Sequence, residues 1–539
     1  MPADYWADIF TNRLSRRRVL RGAAIGGVAL TGAALIGCST KSDETGKPAG
    51  TPAAGASATS TATATPAGAA TATATIPANL ISLKTSPERG PGGTKFTVTG
   101  EGLKPSTRLD FVWQTVDGSY KTDLVNNEVQ YVDRVWTPRR ATLGQVTTDA
   151  QGKFTGNFTA PEDFFGVHDI YALVEGTEAA KAGFSIERTF ELSPREGPIG
   201  TPIKVKVTGL GSSAYTSTGS IRYDNTYMGF VSATTTHGTA EFQVRAAGPV
   251  GTHVIQFDGA SHALPYLNIE QSPVASINKW AVPFRVTADN GAPANALEWP
   301  EQAKVSTDPK SGRTTVGSSN IAATSTSKAA LVPAAGPIKT ASKLEVSGLP
   351  AGANVEIKWM NVTGNRVVGG WNLVDTPLGK ATVSADGKIS APIDVPDTLG
   401  GWHAIRVVDG DKTLAEVPFY VERSIDSVTP QKVKAGEKFT VHVKGIGWTE
   451  LDNGVAVTYD NTYMGMACGF ASNGDVAMQM VATGTPGTHL IELYPMIYDN
   501  AHGKYPWQYN LPHLTFAQDH PALNLGYRLP VYRLAIEVV

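Results

Sequence analysis

A seven-residue segment occurs twice in this 539-residue chain. Tyr223–Gly229 reads Tyr-Asp-Asn-Thr-Tyr-Met-Gly, and Tyr459–Gly465 repeats it unchanged, 236 residues later. The same offset separates His253 from His489. An offset that holds over a long region indicates a duplication, and an internal repeat constrains the architecture of a chain more than any single motif.

Two further patterns divide the chain into four related segments. A Gly-x-His-x-Ile motif occurs near the end of each segment, with its histidine at His168, His253, His403 and His489. Three segments open with a proline, a glycine six residues later and then an alternating apolar strand; these prolines are Pro87, Pro194 and Pro430. The remaining segment has Pro333, but Lys339 replaces the glycine. Alternating apolar residues predict half-buried strands.

The segments predict a duplicated two-domain unit, A-B-A′-B′. The expected boundaries are 79–188 for module A, 189–290 for module B, 291–330 for a linker, 331–423 for module A′ and 424–539 for module B′. Part of the linker could instead pair as an edge strand on module B or A′. Modules of about 100 residues with many short strands and turns are typical of β-sandwiches.

The opening pattern resembles the IPT/TIG branch of immunoglobulin-like domains. The resemblance covers about 20 residues at the start of three modules, and it implies an all-β fold of four tandem immunoglobulin-like β-sandwiches. The chain has two cysteines, Cys38 and Cys468, and therefore lacks the Cys–Trp–Cys core of antibody domains.

The N-terminal residues 1–38 are typical of an export signal. A basic start, Ser15–Leu20, precedes a short apolar run that ends in Leu35–Cys38. The start resembles a twin-arginine signal and the end resembles a bacterial lipobox. These resemblances imply that Cys38 is lipidated and becomes the mature N-terminus; a plain N-terminal membrane anchor is the alternative.

Residues 39–78 are mostly Ala, Thr, Ser, Pro and Gly. Such a composition cannot bury enough apolar surface to fold, so we expect a disordered tether. Together with the lipobox it predicts an extracytoplasmic protein, with the membrane as a partner through Cys38.

Composition and motifs argue against several classes of function. A net charge of −2 gives no field that would attract nucleic acid. The chain carries no common catalytic or cofactor-binding motif, so we expect neither an enzyme nor a cofactor. The four repeated histidines lie in separate modules and cannot converge on a metal. We expect each to be a neutral imidazole that donates to a backbone carbonyl.

The repeated seven-residue segment is the first candidate ligand site. Its Asp-Asn pair favours a turn, and its aromatic residues either pack between sheets or present a surface suited to sugars. In the second interpretation the binding residues are Asp224, Asn225, Tyr227, Asp460, Asn461 and Tyr463.

An 11-residue insertion near Tyr494–Tyr509 in module B′ is the second candidate. It carries Tyr505, Trp507 and Tyr509, and exposed aromatic clusters often mark recognition surfaces. The alternative is a cap over an open sandwich edge.

Three hypotheses about function follow. The first is a lipid-anchored surface protein that binds a glycan or an envelope protein, as an adhesin or scaffold. The second is a secreted polysaccharide-acting enzyme or accessory protein, which would need a cleft with two or more carboxylates near Trp507. The third is a structural spacer of the cell envelope. The sequence does not indicate an oligomeric state.

Overall fold

The computed structural model describes residues 80–125, 128–213, 216–261, 263–265, 267, 280–299, 328–365, 370–448, 453–469, 473–496, 510–519 and 529–539. All of them fall in the compact unit that spans Thr75–Val539. The predicted signal, lipobox and tether lie outside these residues, as do most of the linker and the predicted aromatic insertion.

Module A consists of two sheets. In the first, β2, β4 and β7 pair in that order; in the second the order is β1-β9-β8-β5-β6, and β3 also pairs with β9. The strands are β1 (Ile81–Ser82), β2 (Lys84–Ser86), β3 (Arg89–Gly90), β4 (Lys95–Gly100), β5 (Arg108–Val125), β6 (Glu128–Thr147), β7 (Phe154–Thr159), β8 (Gly166–Val174) and β9 (Thr177–Ile186).

Module B repeats this plan. Its small sheet has the order β10-β12-β15, and its large sheet has the order β11-β18-β16-β13-β14 with β17 beside β16. The strands are β10 (Thr189–Ser193), β11 (Glu196–Gly197), β12 (Pro202–Thr208), β13 (Thr218–Tyr223), β14 (Thr226–Ser232), β15 (Ala240–Arg245), β16 (Gly251–Ser261), β17 (Leu264–Pro265) and β18 (Trp280–Val286).

A short strand, β19 (Ala296–Glu298), lies within the predicted linker. It pairs antiparallel with the last strand of the chain, so that Ala296 lies opposite Arg533 and Glu298 opposite Val531. The linker therefore supplies an edge strand to module B′, which the sequence did not predict. Residues 328–330 at its other end belong to the strand Lys328–Val332, which pairs antiparallel with Ala341–Ser347 at the edge of the small sheet of module A′. The alternative that part of the linker pairs as an edge strand on module A′ is confirmed for these residues.

Module A′ has the small sheet β20-β22-β25 and the large sheet β21-β27-β26-β23-β24. Its strands are β20 (Lys328–Val332), β21 (Ala335–Gly336), β22 (Ala341–Ser347), β23 (Asn354–Asn365), β24 (Gly370–Thr382), β25 (Lys388–Asp394), β26 (Gly401–Asp409) and β27 (Lys412–Val421).

Module B′ has the small sheet β28-β30-β33 and the large sheet β19-β35-β34-β31-β32, with β29 beside β35. Its elements are β28 (Ser424–Thr429), β29 (Lys432–Val433), β30 (Lys438–Lys444), β31 (Gly454–Tyr459), β32 (Thr462–Cys468), β33 (Val476–Val481), β34 (Gly487–Tyr494), the helix α1 (Phe516–Asp519) and β35 (Val531–Val538).

The four modules share one topology. In each large sheet a two-residue strand near the start of the module runs parallel to the module's last strand, as β11 does beside β18, while the longer pairs are antiparallel. Two sheets joined in this order form an immunoglobulin-like sandwich. The chain is therefore all-β, with four tandem immunoglobulin-like sandwiches in the predicted A-B-A′-B′ order.

Each sandwich encloses its own hydrophobic core, and β12 shows how the sequence produces it. Ile203, Val205 and Val207 alternate along this strand and are at most 1% exposed, whereas Lys204 and Lys206 point to the opposite face. Corresponding clusters fill modules A, A′ and B′. The predicted half-buried strands are therefore confirmed.

The repeated glycine of the opening pattern has a conformational role. Gly93, Gly200 and Gly436 have φ angles of 84°, 86° and 86°, in the left-handed region that glycine adopts without steric cost. Lys339, which replaces the glycine in module A′, has a φ of 64°. The turn is thus kept where the residue type is not, which explains the weaker match of this module to the pattern.

A further apolar cluster joins the modules, and we call it the central cluster. Its buried members come from modules B, A′ and B′, and Tyr120 of module A packs against them. They are Phe230, Ala263, Val362, Trp371, Leu399, Tyr420, Trp448, Phe516 and Leu529. Because burying apolar surface is the main stabilising term in folding, this cluster favours association of the four modules over independent movement.

Candidate functional site

The repeated seven-residue segment forms the same hairpin in both B-type modules. Tyr223 pairs with Thr226 across a two-residue turn, and the turn residues Asp224 and Asn225 have φ angles of 47° and 67°. Asp460 has a φ of 45° and Asn461 one of 61°. Positive φ at both positions defines the type I′ turn, which suits the twist of paired strands and favours Asn and Asp. The predicted turn is confirmed.

The aspartate of each turn binds the repeated histidine of its module. Asp224 Oδ2 lies 2.5 Å from His253 Nδ1, and Asp224 Oδ1 accepts a hydrogen bond from the Val254 amide at 2.8 Å. In module B′ the separation of Asp460 Oδ2 and His489 Nδ1 is 2.6 Å. Burial lowers the pKa of His489, but the hydrogen bond and charge of Asp460 outweigh it and raise that pKa above its ordinary value.

The other ring nitrogen of the repeated histidine has a common partner in all four modules. Nε2 lies 2.7–2.8 Å from the carbonyl oxygen of the residue four positions earlier, for His168, His253, His403 and His489. Since a carbonyl only accepts, the ring donates. The predicted contact with a backbone carbonyl is confirmed, and no group of three or more metal-ligating side chains occurs among the residues that the structure describes.

The two hairpins meet at the contact between modules B and B′. The rings of Tyr227 and Tyr463 pack edge to face with centroids 6.2 Å apart, and Thr462 Oγ1 donates to Thr226 Oγ1 at 3.0 Å. Equivalent residues therefore touch each other, as they do about a twofold axis. Burial, and then the neighbouring Tyr463, raise the pKa of Tyr227 well above its ordinary value, so its hydroxyl stays protonated.

Both tyrosine hydroxyls also donate to backbone carbonyls. Tyr227 donates to the Ala263 carbonyl at 2.9 Å, and Tyr463 donates to the Asn510 carbonyl at 2.6 Å. Asn461 is buried, and its Nδ2 donates to the Arg245 carbonyl of module B at 2.8 Å. These residues form the module contact, and their role in ligand binding stays a prediction. Asp224 and Asn225 are exposed, whereas Tyr505, Trp507 and Tyr509 lie outside the described residues.

A buried network of charges closes one side of the B–B′ contact. Glu492 is fully buried; it accepts from Arg245 Nε at 2.5 Å, from Arg533 Nη1 at 2.6 Å and from the Tyr494 hydroxyl. Arg533 Nε also donates to Glu298 at 2.7 Å. Burial alone would raise the pKa of Glu492, but the charges of Arg533 and Arg245 hold it below its ordinary value.

Residues 510–519 of module B′, which we call the arm, extend along the edge of module B. The Phe230 amide donates to the Pro512 carbonyl and the Leu514 amide donates to the Phe230 carbonyl, both at 2.9 Å. His513 lies in parallel register with Phe230 and stacks on its ring at a centroid distance of 4.3 Å. The region after the insertion thus caps a sandwich edge, but on another module.

A polar junction anchors the arm. Ser232 Oγ lies 2.8 Å from His513 Nε2 and donates to Asp519 Oδ2 at 2.5 Å. The Thr235 amide donates to Asp519 Oδ1 at 2.7 Å, and the hydroxyl of Tyr120 from module A also donates to this carboxylate. The junction therefore ties three modules together.

The serine, histidine and aspartate of this junction are not arranged for nucleophilic catalysis. A catalytic triad requires the carboxylate to orient the histidine, whereas Asp519 binds Ser232 directly. Ser232, His513 and Asp519 are each at most 2% exposed, which leaves no route for a substrate. Cys468, the residue of module B′ that corresponds to Ser232, is half-buried.

A cleft of about 600 Å³ lies between the outer face of the small sheet of module B and residues of module B′. Its walls carry the indole of Trp299, the amides of Gln243 and Gln518, and carboxylates that include Glu298. Gln243 Nε2 donates to Glu298 at 3.1 Å. A concave volume of this size with a few convergent polar groups is typical of a small-ligand site.

Sequence reasoning missed the arm, the charge network and the cleft. One signal of the arm was present: Leu264-Pro265 and Leu511-Pro512 are separated by 247 residues and follow equivalent strands. The partners of Glu492 left no such signal, because they lie on strands that only tertiary packing brings together.

Comparisons with known proteins leave the family open. No protein-family model and no curated protein sequence matches the chain. Among solved structures, the chain is similar to a tetra-tandem repeat from a large adhesion protein. The match covers 80% of this chain and 96% of that chain at 10% sequence identity, with a TM-score of 0.17. A second match is invasin, a bacterial integrin-binding protein. It covers 84% of this chain and 78% of the invasin chain at 12% sequence identity, also with a TM-score of 0.17. Scores this low carry no argument about function, and the fold rests on the strand order.

No helix in the described part of the chain is long and apolar enough to span a membrane.

Proposed function

We propose that the protein is an extracytoplasmic lipoprotein, anchored through Cys38, that binds a saccharide or a glycosylated envelope component. The observation that carries the proposal is the cleft between modules B and B′, to which both halves of the duplication contribute. Two modules held together by a charge network and the arm can keep such a cleft in one shape, and a preformed site binds at a lower entropic cost.

The chemistry of the cleft favours a saccharide. Sugar rings present C–H faces that pack on an indole such as that of Trp299, and their hydroxyls pair with amides and carboxylates. Gln518 Oε1 accepts from the Glu241 amide at 3.0 Å, which fixes the orientation of its side chain. Arg533 and Gln243 bind Glu298. Because this carboxylate already has partners, we assign it to the structure of the cleft wall and propose a binding protein, not a hydrolase.

Binding is tested with the purified mature chain on a saccharide array, followed by calorimetric titration of any ligand that binds. Trp299→Ala and Gln518→Ala are expected to weaken the affinity at least about tenfold, which corresponds to about 1.4 kcal/mol. Trp136→Ala, which removes an indole of module A that does not line the cleft, is the matched control. Failure to bind any saccharide or glycosylated envelope extract overturns the proposal, and cleavage of a bound polysaccharide would assign catalysis instead.

The anchor is tested separately in the native host. Cys38→Ala is expected to move the protein from the membrane fraction to the soluble extracytoplasmic fraction, because stable anchoring depends on acyl chains. Mass spectrometry of the mature N-terminal peptide should find the acyl groups on Cys38. An unmodified Cys38 in a cytosolic protein would contradict this part of the proposal.

A further inference from the structure

The turn between β14 and β15 of module B packs against module A. Its tip consists of His237 and Gly238, which have φ angles of 50° and 80°. A β-carbon on Gly238 would lie 3.1 Å from the Asp163 carbonyl oxygen, so the turn touches the segment of module A that precedes β8. The Phe165 amide of this segment donates to the Leu210 carbonyl at 3.1 Å, and the Leu210 amide donates to the Gly238 carbonyl at 2.9 Å. We call these residues the A–B contact.

Modules A′ and B′ meet through the equivalent turn. Asn473 and Gly474, 236 residues later, have φ angles of 52° and 79°. A β-carbon on Gly474 would lie 3.3 Å from the Thr398 carbonyl oxygen. The Gly400 amide donates to the Ile446 carbonyl at 2.9 Å, and the Ile446 amide donates to the Gly474 carbonyl at 3.1 Å. This A′–B′ contact therefore has the same backbone arrangement as the A–B contact.

The side chains of the two contacts differ in their capacity to carry charge. His237 of the A–B contact corresponds to Asn473, and Asp163 corresponds to Thr398. Asn473 Nδ2 donates to the Asp397 carbonyl at 2.8 Å, and the Thr398 hydroxyl donates to a side-chain amide oxygen at 2.7 Å. The duplication thus places two ionisable side chains in one contact and two neutral side chains at the equivalent positions of the other.

The ring of His237 lies between two carboxylates of module A. Its Nε2 lies 3.1 Å from Asp117 Oδ1, and its Nδ1 lies 3.6 Å from Asp163 Oδ1. An ionised carboxylate only accepts, and a neutral imidazole has a single N–H. One nitrogen of a neutral ring would therefore direct its lone pair towards a carboxylate, whereas the imidazolium presents an N–H to both. The geometry favours the charged ring.

Asp163 is the partner that depends most on this charge. It is 3% exposed, and among the described residues it forms ion pairs with histidines alone: His237, and His168 Nδ1 at 3.7 Å. Its hydrogen-bond donors, each at 2.8 Å, are Trp113 Nε1, Thr115 Oγ1 and the Phe164 amide. Burial alone would raise the pKa of Asp163, but the contact with His237 and these hydrogen bonds hold it below its ordinary value of 3.8. Asp163 is therefore ionised wherever histidines titrate.

The other charged groups beside the turn have partners of their own. Asp117 is half exposed and also accepts from Arg139 Nε at 2.8 Å. Glu162, next to Asp163 in the chain, pairs with Lys206 at 2.9 Å. Neutralisation of the His237 ring would therefore leave Asp163 as the carboxylate with the fewest cations near it, and a buried charge needs such partners.

We propose that His237 is a charged pin between modules A and B: its imidazolium strengthens the A–B contact at acidic pH, the contact weakens as the ring loses its proton, and the A′–B′ contact does not respond. Histidine is the side chain that changes its charge near pH 6.5 when unperturbed, whereas the amide of Asn473 does not titrate. The pin makes the strength of one module contact depend on the pH of the surrounding medium.

Amide exchange in the full-length chain tests the pin at two equivalent positions. The Phe165 amide reports the A–B contact, and the Gly400 amide reports the A′–B′ contact. Each exchange rate is divided by the intrinsic rate at the same pH, which leaves the protection due to structure. Between about pH 5.5 and about pH 7.5 the protection of Phe165 should fall at least about threefold, as expected for loss of a partly exposed ion pair. The protection of Gly400 should stay constant.

Two histidine variants separate the pin from other titrating groups. His237→Asn introduces the residue of the A′–B′ contact, and asparagine readily adopts the positive φ of this position. It should abolish the pH dependence at Phe165. His442→Asn is the matched control, because it removes a histidine that pairs with Asp426 at 2.8 Å within module B′. It should leave the pH dependence at Phe165 unchanged.

Three results would overturn the proposal. The first is equal protection of Phe165 at both pH values in the unaltered chain. The second is a parallel change at Phe165 and Gly400, which would assign the effect to the whole fold. The third is a pH dependence at Phe165 that persists in His237→Asn, which would assign it to another group such as His168.

Discussion

The buried charge network between modules B and B′ makes a strong prediction about Glu492. Glu492→Gln keeps the shape of the side chain but removes its charge. Arg245 then loses its carboxylate partner, and Arg533 keeps only Glu298. Removing one partner of a buried ion pair costs about 3–5 kcal/mol, since the other charge stays desolvated. We expect a loss of about that size, because Glu492 is fully buried and both arginines are only 5% exposed.

The duplication supplies a rescue variant. Module B has Gln256 at the position that corresponds to Glu492, and module B′ has Val481 at the position that corresponds to Arg245. The double variant Arg245→Val with Glu492→Gln therefore places at both positions the residues that the duplication has at the equivalent positions, and it removes one of the stranded charges. We expect its free energy of unfolding to be at least about 1 kcal/mol higher than the value obtained by adding the losses of the two single variants, because contacting residues couple by about 0.5–3 kcal/mol.

The assay is urea unfolding monitored by fluorescence at neutral and acidic pH. The pKa of Glu492 is lowered in the fold, so its contribution is present above its ordinary value of 4.5 and disappears as the pH falls. The difference in the free energy of unfolding between the unaltered chain and Glu492→Gln should therefore become smaller as the pH falls. Glu345→Gln, in an exposed pair with Lys343, should change nothing measurable. A loss below about 1 kcal/mol at neutral pH, which is the value of a surface pair, would refute the reasoning.

Three further predictions concern single residues. Asp460→Asn should lower the free energy of unfolding more at about pH 6 than at about pH 8 in urea titrations. The pKa of His489 is raised in the fold, so its contribution to stability is fully present below the ordinary pKa of 6.5 and is lost as the pH rises. An equal loss at both pH values contradicts this. Phe516→Ala, in the central cluster, should lower the free energy of unfolding by about 3–5 kcal/mol, and a change under about 1 kcal/mol would show that the cluster does not join the modules. Lys339→Gly should stabilise the chain by about 0.5–1 kcal/mol in thermal unfolding, whereas Gly436→Ala should destabilise it, since both positions have positive φ; destabilisation by Lys339→Gly would refute the assignment of strain.

The sequence allowed the modules to be predicted because their signals are local. Alternation along Ile203–Val207 fixes a strand and its buried face, and the Asp-Asn pair at 224–225 fixes a hairpin turn. Because the motifs repeat, a strand or turn assigned in one module could also be assigned at the equivalent position of the other modules. The Lys339 turn shows the limit of such patterns, because the backbone conformation is retained without the glycine that usually marks it.

The contacts between modules could not be predicted in the same way. Tyr227 and Tyr463 were assigned either to packing or to ligand binding, and the structure places them against each other at a surface that no single module contains. The partners of Glu492 come from β15 and β35, nearly 300 residues apart, so no local pattern relates them. Identical copies also diverged: Asn461 became buried at the module contact, while Asn225 stayed exposed.

The central claim is that the two halves of the duplication are held together in one arrangement through modules B and B′. Pulsed electron–electron double resonance tests this claim most directly. Spin labels are attached to Thr252→Cys of module B and Lys438→Cys of module B′, in a chain with Cys38 and Cys468 replaced by serine. Both labelled positions are exposed. The account predicts one narrow distance distribution that broadens when Glu492→Gln and Phe516→Ala are combined. A broad distribution in the otherwise unaltered chain would contradict it.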